Sequence, residues 1–573
     1  MQCDQSAAAC GPQYFLQKPA TRLLVIGFMF IAAFAIRLYH INEPLLDFHP
    51  IRQYRSAIVA RAFYFDDMKS IPEWRRDIAI KNMKKQRPLE PQVMERLIAF
   101  AYRIAGGEHL WIPRLLSSVY WLIGGIFLYL IAKRIISENA AIFAIAFYLF
   151  LPFGISMSRS FQPDSMMIML LLLSILTILR YDEQRSMSRL LTAALVSSVA
   201  IFIKPVSLFL IFGALISLGV YRQGIWKSVI NRHFPVFTFI SLLPAVIYIV
   251  SAKFLMTQSQ ISFIPALILK PFFWKDWLTM IGHVLGYIAF TAAFIGLVTF
   301  PRGPAKALLI GLWAGYFVFG LAFNTRISTH DYYTAIFIPV AALSLSPLGV
   351  SALSGTVRLY RQRRWLVVVS GILFIGMVIT AGFYMRNIHW REVGPDMKKK
   401  MQAIGAIVGV NPQFIKFLRP DLQKDVRIAK EIGEIVNHST KTLFLARDYG
   451  NSLVYLGELS GLPWPTTSFF PTVRRWGKRV LSAKERFNAS GRGILTEEDE
   501  YFDPSLLVKQ SELEYFIITY VEDYKKQPDL VEFLTSNFPI LVQTDDYLIF
   551  DLRNRVNPDK LSGNESLIKF NVA

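Results

Sequence analysis

The chain has 573 residues, of which 53% are hydrophobic, 14% aromatic and only 18% charged. Soluble domains carry roughly 25% charged residues, so a water-soluble enzyme is excluded and a polytopic helical membrane protein is expected. The net charge of +21 invites a nucleic-acid reading, but the basic residues gather in short loops where they set membrane orientation, and no nucleic-acid partner is expected. Cys3 and Cys10 both lie in the N-terminal tail, which excludes a disulfide framework and a cysteine-rich metal site.

A helical span takes about 20 apolar residues. Segments near 22–40, 113–132, 139–157, 163–180, 188–203, 205–221, 234–252, 280–300, 305–323, 332–352 and 365–385 meet that need, giving about eleven spans. The two flanking Lys204-Pro205 are short and nearly continuous. The first ends in Arg37-Leu38-Tyr39-His40, without a small-x-small cleavage pattern, and reads as a retained anchor. Lys18/Arg22, Lys133/Arg134, Arg180/Arg185/Arg189, Arg222/Lys227/Arg232, Arg302/Lys306 and Arg358/Arg361/Arg363/Arg364 mark one set of ends as cytoplasmic. The expected organisation is a cytoplasmic tail (1–21), a transmembrane module (22–385) with an extracytoplasmic loop (41–112), and an extracytoplasmic domain (386–573). A multi-pass location in the cytoplasmic membrane, with the N-terminus inside, is expected.

Within the first loop, Ile58, Val59, Ala62 and Phe63, then Val93, Leu97, Ile98 and Ala101, recur at helical spacing between charges. They predict amphipathic helices lying on the membrane surface. The outer tail mixes basic helical stretches with short β-rich runs at Thr442–Ala446, Tyr515–Thr519, Ile540–Gln543 and Tyr547–Asp551, which predicts a small mixed α/β domain. Residues 463–505, rich in Pro and Gly and ending near Glu497-Glu498-Asp499-Glu500, read as an irregular insertion with a solvated acidic run.

Polar clusters stand out on the expected outer side. Asp47-Phe48-His49-Pro50-Ile51-Arg52-Gln53 follows the first span; a carboxylate there can take a proton from an attacking hydroxyl, and Arg52 can hold an anion in a fork. The same residues could form only a charged turn. Glu90-Pro91 also suits an ordinary helix start. Arg159-Ser160-Phe161-Gln162-Pro163-Asp164 opens a span, with Asp164 at a membrane boundary where ionisable groups are costly and often functional. Lys204-Pro205 offers either a snorkelling lysine or a compact cation for a phosphate. His330, Tyr332 and Tyr333 open another span and read either as an interfacial aromatic belt or as a site. Their shared side favours one polar site fed from the lipid phase. There is no GxxxxGK[ST] phosphate loop to hold a nucleotide.

Asp47-Phe48-His49-Pro50-Ile51-Arg52-Gln53 with Ala57, Ala60-Arg61 and Phe63-Tyr64, then Glu90-Pro91, Arg159/Phe161/Pro163/Asp164, Lys204-Pro205 and His330/Tyr332/Tyr333, occur in an order that resembles the integral-membrane GT-C glycosyltransferases. The resemblance is to glycosyltransferase family 39, which includes protein O-mannosyltransferases and the lipid A aminoarabinose transferase, and to its bacterial branch. It spans about 20–350, and departs where Phe48 stands in place of a second acid. The resemblance implies a GT-C fold. It also implies transfer of a sugar, with inversion, from a polyprenyl phosphate to a hydroxyl of a cell-envelope lipid, glycan or protein. Under it, Asp47 is the base, and Lys204, Arg52 and Arg159 neutralise the donor phosphate. Glu90 and Asp164 join Asp47 in the catalytic set, with His49, Gln53, His330, Tyr332 and Tyr333 on the substrates. No cofactor is required, and room is left for a divalent cation. A polysaccharide polymerase or ligase, or a lipid or glycan transporter, are the competing functions; a transporter would more often show paired broken helices with polar groups at mid-membrane.

Overall fold

The computed structural model describes residues 19–66, 68, 70–86, 90–251, 263–362, 405, 423–464, 466–467 and 513–554. The expected span at 365–385, the acidic run 497–500 and most of the expected insertion 463–505 lie outside the described residues. Packing divides the chain into two compact units. One comprises Met1–Asn42, Trp111–Ser251 and Leu267–Pro420; the other joins Glu43–Leu110 and Ala252–Ala266 to Asp421–Ala573.

The first unit is a bundle of apolar helices. Helix α1 (Pro19–Leu38) precedes the first loop, whose helices α2 (Pro50–Asp66), α3 (Glu73–Lys85) and α4 (Val93–Ala105) belong to the second unit. The bundle resumes with α5 (Trp111–Ile135), α6 (Glu138–Phe150), α7 (Pro152–Ser158), α8 (Asp164–Glu183), α9 (Met187–Ile203), α10 (Ser207–Gln223), α11 (Ile225–Ile230) and α12 (His233–Ser251). After these come α13 (Pro271–Leu285), α14 (Tyr287–Thr299), α15 (Pro304–Ala322) and α16 (Ile338–Gln362), the last preceded by a tight turn of helix at Asp331–Phe337. Among the described residues, 6 helices are long and apolar enough to cross a membrane, or up to 8 with each bent pair counted as one. Helices α9 and α10 are shorter and apolar.

Two of the expected spans, 139–157 and 280–300, fall on bent helix pairs. The first is α6 and α7 bent by 63°. Leu151 precedes Pro152 and takes an extended ψ of 125°, because the proline ring forbids the helical region to the residue before it. The second straddles α13 and α14, bent by 96° at Gly286, whose φ of +79° a side chain would resist. At the first break Arg37, fully buried in α1, donates to Leu149 O at 3.0 Å, Ala33 O at 2.9 Å and Ser158 Oγ at 2.7 Å, so a costly intramembrane cation covers groups around the bend. Helices α10 and α15 meet backbone to backbone: a Cβ on Gly213 would lie 2.2 Å from Gly311 O, and one on Gly315 would lie 2.4 Å from Phe209 O. Small residues permit such contact where lipid supplies no hydrophobic drive.

The second unit carries a five-stranded mixed sheet in the order β2-β1-β3-β5-β4, formed by Thr442–Leu445 (β1), Gly461–Pro463 (β2), Tyr515–Ile518 (β3), Ile540–Gln543 (β4) and Leu548–Asp551 (β5). Strand β1 runs parallel to both β2 and β3, and β5 is antiparallel to β3 and β4. β1 and β3 are buried along their whole length and read in sequence as continuous apolar runs. Leu443, Leu445, Phe516, Ile518 and Phe550 form the core with Trp464, Leu530, Phe533 and Phe538. β2 went unseen because its three residues carry little β-pattern; Pro463 and Trp464, read as the start of an insertion, belong to the sheet and its core. Helices α17 (Gln423–Ile435), α18 (Asn451–Leu456) and α19 (Pro528–Asn537) complete the tail.

The first-loop helices pack into this same unit. Helix α2 is corrected from a surface helix to a core one: Gln53, Tyr54, Ser56, Ala57, Ile58, Val59, Ala60, Ala62, Tyr64 and Phe65 are all buried. Helix α4 is amphipathic, with Met94, Ile98 and Tyr102 buried and Leu97, Phe100 and Ile104 exposed as an apolar stripe. Such a stripe is what a membrane surface covers.

Candidate functional site

In the second unit the candidate residues sit on the turn entering α2 and on the approach to α4. Pro50 occupies the first helical position, where its missing N–H costs nothing. His49, just before it, adopts a left-handed φ of +42°. Proline pushes its predecessor toward extended backbone, so this conformation is strained, by about 1–3 kcal/mol for residues of this kind. It is held by Arg52 N and Gln53 N, which donate to His49 O at 2.9 and 3.3 Å, and by edge-to-face contact of its ring with Phe48.

Asp47 is buried, 5% exposed, and accepts from Gln53 Nε2 at 3.3 Å; the same amide donates to Phe48 O at 2.5 Å. Gln53 thus fixes the carboxylate and the turn together. Arg52 Nη2 donates to Glu90 Oε1 at 3.0 Å, tying the two sequence clusters into one pair. One turn further along α2, Ser56 Oγ donates to Glu95 Oε1 at 2.8 Å. Burial pushes the Glu95 carboxyl above its ordinary range, against the Ser56 hydrogen bond and with help from the charge of Glu90. Glu95 was missed because a charge in an amphipathic helix reads as its wet face. The signal available was its i+3 and i+7 register with Ile98 and Tyr102, on the buried side of α4.

In the first unit the candidates gather at one end of α8 and α9. Asp164 begins α8 after Pro163, and Lys204 closes α9. Lys204 Nζ lies 2.7 Å from Asp164 Oδ1, with side chains 3% and 2% exposed. The ammonium also lies 5.6 and 5.3 Å from the ring centres of Tyr332 and Tyr333, within cation–π range. His330 stands edge-on to both tyrosines, and its Nδ1 is 2.6 Å from Thr329 Oγ1. Arg159, 1% exposed, donates from Nη2 to His40 O at 2.9 Å. Asp164 Oδ2, Ser165 Oγ and both amide atoms of Gln162 are buried with no hydrogen-bond partner among the described residues. A buried ion pair whose aspartate, with its chain neighbours Gln162 and Ser165, holds polar atoms lacking partners among the described residues is expensive and needs an explanation other than stability. Among the described residues, no group of three or more His, Cys, Asp or Glu side chains is placed to hold a metal ion.

The apolar helices make this a multi-pass membrane protein, and its likeness to solved structures gives it a GT-C fold. The fold resembles that of ArnT from Cupriavidus metallidurans in the apo state, with a TM-score of 0.57 at 13% identity, covering 93% of this chain and 98% of that one. ArnT bound to undecaprenyl phosphate matches with a TM-score of 0.53 at 11% identity over the same shares of each chain. Residues 90–249 match the model of the dolichyl-phosphate-mannose-protein mannosyltransferase family. That stretch contains Glu90, Arg159, Asp164 and Lys204 and leaves out the Asp47 and His330 turns. No curated protein matches the chain by sequence.

Proposed function

We propose that the protein transfers a sugar, with inversion, from a polyprenyl phosphate to a hydroxyl of a cell-envelope lipid, glycan or protein at the outer face of the cytoplasmic membrane. The observation that carries this reading is the Lys204–Asp164 pair, buried inside the family-matched stretch, with Asp164 Oδ2, Ser165 Oγ and the Gln162 amide lacking hydrogen-bond partners among the described residues. A point cation held in a water-poor setting suits the charge that develops on a departing lipid phosphate. Arg52 and Arg159 are its companions in that role.

Asp47 is the base that takes the proton of the acceptor hydroxyl. Its bond from Gln53 supports the assignment, since it orients the carboxylate before substrate arrives. A lipid phosphate leaves readily, so no strong general acid is called for. Glu90 positions Arg52, and Asp164 positions Lys204. His49, His330, Tyr332 and Tyr333 contribute to substrate binding. The first loop and tail lie outside the cytoplasm, as the distribution of basic loops supports. No organic cofactor enters this reaction; activity measured after EDTA dialysis and Mg²⁺ or Mn²⁺ readdition tests for a divalent cation.

Mass spectrometry of envelope glycans and lipids, with and without the gene, tests the function. Loss of one monosaccharide from a defined lipid, glycan or protein supports it. Loss of whole oligosaccharide repeats would point to a polymerase or ligase, and an unchanged envelope would overturn the reading.

A further inference from the structure

Arg61 belongs to the sequence pattern of the first loop, yet the proposed chemistry gives it no work. In the structure it is the centre of a half-buried cluster joining the first loop to the tail within the second unit. Its Nε donates to both carboxylate oxygens of Glu108, at 3.0 and 2.9 Å, and its Nη1 to Tyr455 O at 2.5 Å. The guanidinium stacks 3.5 Å from the centre of the Tyr455 ring, and the Tyr455 hydroxyl donates to Glu108. Glu458 lies 3.9 Å from Arg61 and takes Arg75 Nε and Nη2 at 2.8 and 2.5 Å. Desolvation works against the cation, but Glu108, Tyr455 and Glu458 overcome it and hold Arg61 charged.

The same tail segment reaches the catalytic turn. Asn451 Nδ2 donates to Ile51 O at 3.1 Å, on the first turn of α2 between Asp47 and Gln53 of the candidate site. Gln86 at the end of α3 donates to Asn451 Oδ1 at 3.3 Å. Asn82 donates to Leu459 O at 2.9 Å, and Lys85 donates to Ser460 Oγ and Gly461 O at 2.8 and 2.9 Å. Residues 451–461 therefore grip α2 at its first turn and its middle, and α3 along one side.

We infer that the tail is a positioning element for catalysis: through Arg61, Glu108, Tyr455 and Glu458 it fixes the axial and rotational setting of α2, and thereby the placement of Asp47. Arg61 is a positioning residue. The inference rests on Asp47 acting as base. A displacement of about 1 Å at a reacting group can cost on the order of 100-fold in rate, so a brace on α2 bears on catalysis even without touching substrate.

The test uses the full chain in lipid nanodiscs. Arg61→Gln is expected to lower kcat by roughly 10- to 100-fold, with KM for the lipid donor within about twofold of the parent, while Arg61→Lys recovers part of the loss. Hydrogen exchange over residues 43–56 is expected to quicken in Arg61→Gln and in the milder Tyr455→Phe. Should Arg61→Gln not fold, Tyr455→Phe and Asn451→Ala carry the same comparison. A folded variant with unchanged kcat, an effect confined to KM, or unchanged exchange at the catalytic turn would overturn the inference. If the parent protein transfers no sugar, the function proposed above fails, and the exchange measurement still decides whether the tail braces the turn.

Discussion

In the membrane unit, Lys204 and Asp164 meet at 2.7 Å with side chains 3% and 2% exposed; in the loop-and-tail unit, Arg61 and Glu108 meet at 2.9 Å at 12% and 13%. Around Arg61, the carboxylate, the guanidinium and the tyrosine hydroxyl are turned on one another. Beside Lys204–Asp164, an aspartate oxygen, a serine hydroxyl and a whole glutamine amide lack partners among the described residues. The Arg61, Glu108 and Tyr455 groups satisfy one another, as a brace requires, although the nearby Tyr102 hydroxyl has no hydrogen-bond partner among the described residues. Incomplete saturation of the ion pair itself, as at Asp164, marks a place prepared for something polar that arrives later.

The largest expected effect is at the proposed base. Asp47→Asn is expected to cut transfer by about 10²–10⁴-fold, the span that general-base catalysis contributes, with thermal stability retained because the amide keeps the Gln53 contact. Next comes the ion pair itself. Removing one partner strands a buried charge, so Lys204→Gln or Asp164→Asn is expected to destabilise the protein by about 3–5 kcal/mol and to weaken use of the lipid donor. Replacing both, by Lys204→Met with Asp164→Leu, is expected to restore the melting temperature but not the activity. Full activity in that double variant would make the pair structural and erase the contrast with Arg61.

A smaller effect concerns pH. Burial pushes the Asp448 carboxyl up to about 7, against hydrogen bonds from Ser452. Its folded value lies above the unfolded 3.8, so the fold favours the protonated form. The associated stability is complete below about pH 4 and is lost as the pH rises through about 7. Asp448→Asn is expected to flatten the melting temperature of the full chain between pH 5 and 8 and to raise it at pH 8. An unchanged slope would place the titrating group elsewhere. The smallest effect is at His49. Glycine accepts a φ of +42° without strain, so His49→Gly should leave the melting temperature unchanged or raised by a few degrees while substrate affinity falls.

The apolar spans were legible because lipid demands long uninterrupted helices. Their breaks were only half legible: Pro152 and Gly286 are visible as residues, but the bend depends on what receives the freed carbonyls, and Arg37 reaches Leu149 O from 112 residues away. In the tail, four strands were readable as short apolar runs, while β2 is defined by its pairing with β1. The site residues were legible as polar groups on an apolar background. Their pairing was not, since Lys204 with Asp164 and Arg52 with Glu90 join positions 40 and 38 residues apart. The placement of the first loop was the least legible. Arg61 and Tyr455 are 394 residues apart, and nothing in the local periodicity of α2 says that its far side faces the tail.

The central claim is tested most directly by single-turnover transfer with purified full-length protein in nanodiscs, offered undecaprenyl-phosphate sugars and an envelope lipid extract. The account predicts that one labelled monosaccharide moves to an acceptor in the parent protein, that Asp47→Asn abolishes the transfer, and that Lys204→Gln demands more lipid donor. Equal transfer by the parent and Asp47→Asn, or a Lys204→Gln defect that responds only to acceptor concentration, would contradict it.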